Sequence, residues 1–156
     1  MTCIAWELSH AVETNVSLVF AWNYWTNVTN WDDPPARFEL DGPFAAGAQG
    51  STLLPGQEPL YWRIRDVRPP NAASIEMPLA GAMLSFEWRL EELGNERTRL
   101  NQRVVLTGDN ASAYLAQVRD NFDVNVSTGM KKLASAMEAA YLRTRRTEGD
   151  SLTTPG

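Results

Sequence analysis

The chain carries one histidine and one cysteine, so any chemistry it performs has to be built from few reactive groups. His10 lies between Leu8 and Val12, where Ile4, Trp6, Leu8, His10 and Val12 alternate with Glu7, Ser9, Ala11 and Glu13. That alternation is the period of a half-buried strand and puts the imidazole on the apolar face. An imidazole changes charge near neutral pH and suits proton transfer. The plainer alternative is a histidine satisfied by a backbone group or a neighbouring carboxylate. Gln102 is the second polar intrusion, sharing a face with Thr98, Leu100, Val104 and Leu106. Its amide can orient a ligand carbonyl or bond to a neighbour. A polar group on a buried face needs a partner or a task. His10 is therefore the candidate catalytic acid–base group, and Gln102 the candidate ligand-orienting group.

Other chemistries are excluded by what is missing. The sequence has no nucleophile elbow, phosphate-binding loop, dinucleotide fingerprint or zinc helix. One histidine and one cysteine cannot assemble a nitrogen- or sulfur-rich metal site, so neither a metal nor a cofactor is expected. A serine triad would have to use His10, and no serine stands in a matching context. Carboxylates, amides and phenols remain. Asn121 and Asn125 flank Phe122 and Val126, and either reaches inward or sits on an exposed helix flank. Tyr61, Glu76 and Glu87 fall opposite the apolar faces and so belong to solvent, unless a one-residue slip reverses them.

The elements that must hold these groups can be read along the chain. After the strand at 4–12, Asn15 offers a helix N-cap. Val16, Leu18, Val19, Phe20, Trp22, Tyr24 and Trp25 then follow with the spacing of a short helix. Residues 27–35, with Asn30, Asp32, Asp33 and two prolines, form a turn or a second short helix and then a loop. A brief strand at 37–41 precedes a glycine-containing loop through Gly42, Gly47 and Gly50, which leads into a short strand at 51–54. Residues 60–67 alternate again, as do Ala73, Ile75 and Met77 against Ser74 and Glu76. The clearest hairpin joins Leu84, Phe86, Trp88 and Leu90 to Thr98, Leu100, Gln102, Val104 and Leu106 through a turn at Gly94 and Asn95. Its outer faces carry Glu87 and Glu91 against Arg97, Arg99 and Arg103, and such pairing of opposite charge supports the register.

A break at 108–112 ends the sheet. From there Leu115, Val118, Phe122, Val126, Met130, Leu133, Met137 and Tyr141 trace the stripe of one long amphipathic helix. Gly129 lies on or beside that stripe, either for close packing or to make room in a pocket. The spacing predicts a curved antiparallel sheet of roughly six to seven strands covered by this helix.

Composition sets the class. At 156 residues the chain has the size of one domain, expected over 1–146, with a polar tail at 147–156 expected to lack fixed structure. The net charge of −5 argues against a nucleic-acid partner. The run Arg143, Arg145 and Arg146 reads as a solvated helix end. Cys3 has no partner for an internal disulfide, and no role is assigned to it. There is no basic-then-apolar leader pattern and no apolar run long enough to span a membrane, so a cytoplasmic protein is expected. Six tryptophans, clustered in 6–31 and 62–88, are the unusual feature, and rings of that size dominate whatever core or cavity they line.

Taken together, the opening strand WELSHAV, the helix VSLVFAWNYW, Trp31, the glycine-spaced GPFAAGAQG, the strand YWRIRDVRPP and the last strand TRLNQRVVLTG resemble the START-like or SRPBCC superfamily. The closest resemblance is to its bacterial polyketide cyclase/dehydrase-like branch, and it covers about residues 4–141. The resemblance implies an α+β helix-grip fold with short helices after the first strand and a hydrophobic cavity between sheet and helix. It also implies an apolar, aromatic or polycyclic ligand. Trp62, Ile75, Met77, Phe86, Trp88, Leu100, Phe122, Val126 and Met130, with Gln102, are the expected lining. Cyclase/dehydrase-like catalysis, passive carriage or sensing of an apolar metabolite, and a co-chaperone-like interaction module all remain open, since one fold serves many functions. The expected partners are an apolar small molecule and, as an alternative to a monomer, a second copy of the chain.

Overall fold

The computed structural model describes residues 4–31 and 33–153, with side chains described through residue 145. Seven strands form one sheet: β1 (Ile4–Thr14), β2 (Arg37–Leu40), β3 (Gln49–Leu53), β4 (Leu60–Arg68), β5 (Ala72–Leu79), β6 (Ala82–Gly94) and β7 (Arg97–Thr107). Their order is β1-β7-β6-β5-β4-β3-β2, and every neighbouring pair is antiparallel. Strands β2 to β7 form a meander, whose last strand, β7, comes back to pair with β1. Among the described residues there are three α-helices, α1 (Leu18–Trp25), α2 (Leu115–Phe122) and α3 (Asn125–Thr153), and two single-turn 3-10 helices at Val28–Asn30 and Ala111–Ala113. The tail expected at 147–156 lies outside the residues whose side chains are described.

Two contacts define the faces of the sheet. The Thr14 hydroxyl donates to the Ala134 carbonyl of α3 at 3.0 Å, so the even-numbered side chains of β1 face the helix. Glu7 and Arg103 pair on the opposite side, at 2.6 Å. The inner face holds Ile64, Leu100, Val104 and Leu106, and α3 meets it with Val126, Met130, Ala134 and Met137. Ile64, Leu100, Val104, Leu106 and Met137 are excluded from water altogether. Burial of such side chains stabilises the fold by about 1.5–3 kcal/mol each.

Four local expectations change. The single long helix is two helices meeting at a turn over 123–124, with Val124 68% exposed at the elbow. There the Asn125 amide donates to the Asn121 carbonyl, so a side chain competes with the helical backbone for its acceptor. The N-cap of α1 is Ser17 in place of Asn15: the Ser17 hydroxyl accepts from the Phe20 N–H at 3.2 Å. Val16 cannot enter the helix because its carbonyl accepts from the buried Thr98 hydroxyl at 2.9 Å. Gly50 belongs to β3, opposite Trp62, and is not part of a loop. Gly129 is exposed, with no atom within 4 Å of the place its Cβ would occupy, so it neither permits close packing nor opens a pocket.

Candidate functional site

Register places the polar intrusions side by side. His10 on β1 faces Gln102 on β7, and Gln102 faces Trp88 on β6, which in turn faces Ala73 on β5. All four side chains belong to the concave face. The next row runs through Leu8, Val104, Phe86 and Ile75, and a bulge between Ile64 and Asp66 brings Val67 back to the concave side opposite Ala73.

One end of the Gln102 row is walled by aromatic rings. Trp25 of α1 lies 4.9 Å from Trp88, centroid to centroid, Trp31 stacks 6.5 Å from Trp25, and Trp62 stacks 5.5 Å from Trp31. Two hydrogen bonds set this wall: the Trp31 indole N–H donates to the Trp25 carbonyl at 2.7 Å, and that of Trp62 to the Thr52 hydroxyl at 3.1 Å. Trp25 was not among the residues expected at the site. Its signal was present in α1, where Leu18, Ala21, Trp22 and Trp25 fall three or four apart and all are buried. Phe122 at the end of α2 closes edge-on over Phe86 at 5.7 Å.

The expected lining residues divide by burial. Trp62, Ile75, Leu100, Val126 and Met130 are buried in the core. Met77, Phe86, Trp88, Gln102 and Phe122 are half-buried, as is His10. The His10 Nε2 atom is shut off from water and has no hydrogen-bond partner among the described residues. Gln102 likewise makes no side-chain hydrogen bond among them. Asn121 and Asn125 stay on the exposed flank.

The charged chemistry is on the other side of the sheet. Arg103 bridges three strands, reaching Glu7 at 2.6 Å and Glu87 at 2.8 Å. The hydrogen bond that Arg103 donates to Glu7, with Glu87 beside it, raises the guanidinium pKa above its ordinary value and keeps the cation fixed there. An open groove of about 580 Å³ is lined by Ser9, Ser74, Arg89 and Arg103 of this face, and by His10, Trp88 and Gln102 as well. Tyr61 points outward and is exposed, and Glu87 is half-buried in its ion pair. Glu76 also points outward yet is only 8% exposed, covered by Arg63 and Arg65 at 3.8 Å each. The stems of long cations can bury a neighbouring carboxylate that alternation alone assigns to solvent.

No family model and no curated protein matches the chain. Solved structures do. Norcoclaurine synthase from Thalictrum flavum, in complex with dopamine and hydroxybenzaldehyde, matches with a TM-score of 0.63 at 13% identity, covering 91% of this chain and 88% of that one. The chain has the helix-grip fold. The Zhui aromatase/cyclase from Streptomyces sp. R1128 shares this helix-grip frame, with a TM-score of 0.62 at 18% identity over 85% of this chain and 93% of its own. So does a protein from Nitrosomonas europaea, with a TM-score of 0.66 at 12% identity over 86% and 95%. At such identities the likeness is one of fold. In the helix-grip arrangement the concave face of the sheet turns toward the helices, and on it His10 and Gln102 make no side-chain hydrogen bond among the described residues. No helix among the described residues is long and apolar enough to cross a membrane.

Proposed function

We propose that the protein binds a hydrophobic, aromatic or polycyclic small molecule between the sheet and the C-terminal helix, and acts on it as a polyketide cyclase/dehydrase-like protein. The observation that carries this reading is the half-buried row of His10, Gln102 and Trp88 on the helix-facing side, in which His10 Nε2 is buried without a hydrogen-bond partner and Gln102 makes no side-chain hydrogen bond among the described residues. Aromatic and apolar walls around a few convergent polar groups are the usual make-up of a small-molecule site. Met77, Phe86, Trp88 and Phe122 would form the walls, with Trp62, Ile75, Leu100, Val126 and Met130 packed behind them. The fold neighbours support the choice of ligand class, since one is an aromatase/cyclase and another was solved with dopamine and hydroxybenzaldehyde. The compartment proposed with this reading is the cytoplasm.

As a cyclase, the site would hold a poly-β-keto chain folded so that one activated carbon faces a carbonyl. His10 would take the proton from that carbon, and the carbanion would add to the carbonyl. The resulting alkoxide would regain the proton, with Gln102 holding its oxygen. Loss of water then gives the unsaturated ring, with no net change of oxidation state. General acid–base assistance of this kind contributes about 10²–10⁴-fold.

A second reading, a carrier or sensor that leaves its ligand unchanged, is favoured by how apolar the rest of the inner face is: His10 and Gln102 are flanked by Leu8, Val12, Leu100 and Val104. Native mass spectrometry of the purified chain tests the shared claim, since a co-purifying apolar molecule is expected and a ligand-free, completely filled interior would sink both readings. His10→Gln then separates them. Binding survives in both cases, but turnover collapses only for a cyclase, and undiminished turnover would remove His10 from the mechanism.

A further inference from the structure

We infer that the outer edge of β1 is a dimer seam, on which a second copy of this chain lays its own β1 antiparallel across a two-fold axis at Ser9. β1 closes one side of the sheet with eleven residues, whereas β2 closes the other with four. Which of its backbone groups face outward follows from the register. The Leu90 N–H donates to the Asn71 carbonyl at 2.6 Å, and the Asn71 amide donates to the Leu90 carbonyl at 3.3 Å, so the Leu90 backbone is turned toward β5. Backbone groups of successive strand residues point to opposite sides. Glu87, Arg89 and Glu91 therefore bond to β7, the even-numbered residues of β7 bond to β1, and the even-numbered residues of β1 bond back. That aims the N–H and C=O groups of Glu7, Ser9, Ala11 and Glu13 at the free edge, and no hydrogen bond reaches them among the described residues.

Exposed edges are normally blunted by prolines, lysines or bulges. From Trp6 to Thr14 the strand carries none of these, its bulge lying between Ile4 and Trp6. Its two outward charges are neutralised from within the chain, Glu7 by Arg103 at 2.6 Å and Glu13 by Arg97. A pairing joins the free groups only if it sets odd-numbered residues opposite each other. Centred on His10, it would bring Glu7 against Glu13, and like charges directly opposite are destabilising. Centred on Ser9, it sets Glu7 opposite Ala11, Ser9 opposite its own copy, Trp6 opposite Val12 and Leu8 opposite His10. This register also takes in the whole strand, with Ile4 opposite Thr14. Trp6, Leu8 and Val12 are only half-buried although they face the helix side, and the second strand would cover what they still expose.

Sedimentation equilibrium of the full chain over a dilution series tests this. The expected result is a reversible rise from 17.4 kDa to twice that mass, with the amides of Glu7, Ser9, Ala11 and Glu13 slowing in hydrogen exchange as the dimer fills. Ser9→Pro removes only an outward-facing N–H from each copy, and is expected to weaken association by about tenfold or more. Ala11→Lys sets a lysine opposite Glu7 of the second copy, and is expected to strengthen association or leave it within about threefold. Should Ser9→Pro fail to fold by circular dichroism, Ser9→Lys takes its place. It sets two lysines face to face at the axis, and a weakening of about three- to tenfold is expected. A chain that stays at 17.4 kDa at every concentration overturns the inference. So does a dimer that is indifferent to the Ser9 substitutions, or one that Ala11→Lys breaks as fully as Ser9→Pro, since the seam is then not centred on Ser9.

Discussion

The aromatic wall depends on a glycine, and replacing it gives a sharp test of how the wall is held. Gly50 lies on β3 directly opposite Trp62 on β4, and a Cβ built on Gly50 would fall among the indole atoms Cη2, Cζ2 and Cζ3 of Trp62. That ring is stacked 5.5 Å from Trp31, and its N–H is bonded to Thr52 at 3.1 Å, so moving the indole disturbs both contacts. Gly50→Ala therefore forces either an overpacked core, at about 1–3 kcal/mol, or loss of a hydrogen bond and a ring pair, at about 0.5–1.5 kcal/mol each. The net expectation is a destabilisation of about 1–3 kcal/mol. In a Trp62→Leu background the clashing atoms are gone. Alanine should then be neutral or stabilising by about 0.5 kcal/mol, because glycine is the poorer strand residue. Urea unfolding of the four variants at constant m-value measures the coupling between the two sites. An alanine cost that is the same in both backgrounds would refute the idea that Trp62 is seated on Gly50, and the account of the wall with it.

Two further substitutions probe the frame around the site. Gly129→Ala replaces an exposed mid-helix glycine with nothing in the way of its new methyl group. It should stabilise the protein by about 1 kcal/mol and raise the thermal midpoint by about 2–4 °C; a lower midpoint would mean that the glycine is needed where it stands. Thr98→Val keeps the shape of a fully buried side chain but removes the donor to the Val16 carbonyl. A loss of about 1–3 kcal/mol in chemical denaturation is expected, and a neutral result would show that the carbonyl finds another donor.

How much of this was legible beforehand follows from which interactions are local. The β6–β7 hairpin was readable because one face is buried and the other solvated, so Leu84, Leu90, Leu100 and Val104 alternate with Glu87, Arg89 and Arg103. The terminal stripe was readable as well, yet the elbow at 123–124 was not. Val118, Phe122, Val126 and Met130 keep four-residue steps straight across it, and the Asn125 side chain bonding back to Asn121 marks the break. The start of α1 was misplaced because the bond that fixes it comes from Thr98, far along the chain. Glu76 shows the same limit on the sheet: alternation gives the direction of a side chain, while its burial comes from Arg63 and Arg65 on the neighbouring strand.

The candidate site shows the limit most clearly, because its identity depends on register and not on face. Alternation alone sends His10 and Gln102 to the inner side of two strands, but it leaves open whether they sit rows apart or in one row. Ninety-two positions separate them, and the matching is made only when β7 comes back to pair with β1. That return is pinned from outside the row, by Glu7 against Arg103 on the convex face and by Thr14 against the Ala134 carbonyl of α3. A slip of β1 by one residue would turn His10 to the convex face and away from Gln102, and a slip of two would part them while keeping both on the concave side. The ion pair of Glu7 with Arg103 thus holds the geometry of the concave pair from across the sheet, which gives a surface charge a part in aligning the interior site.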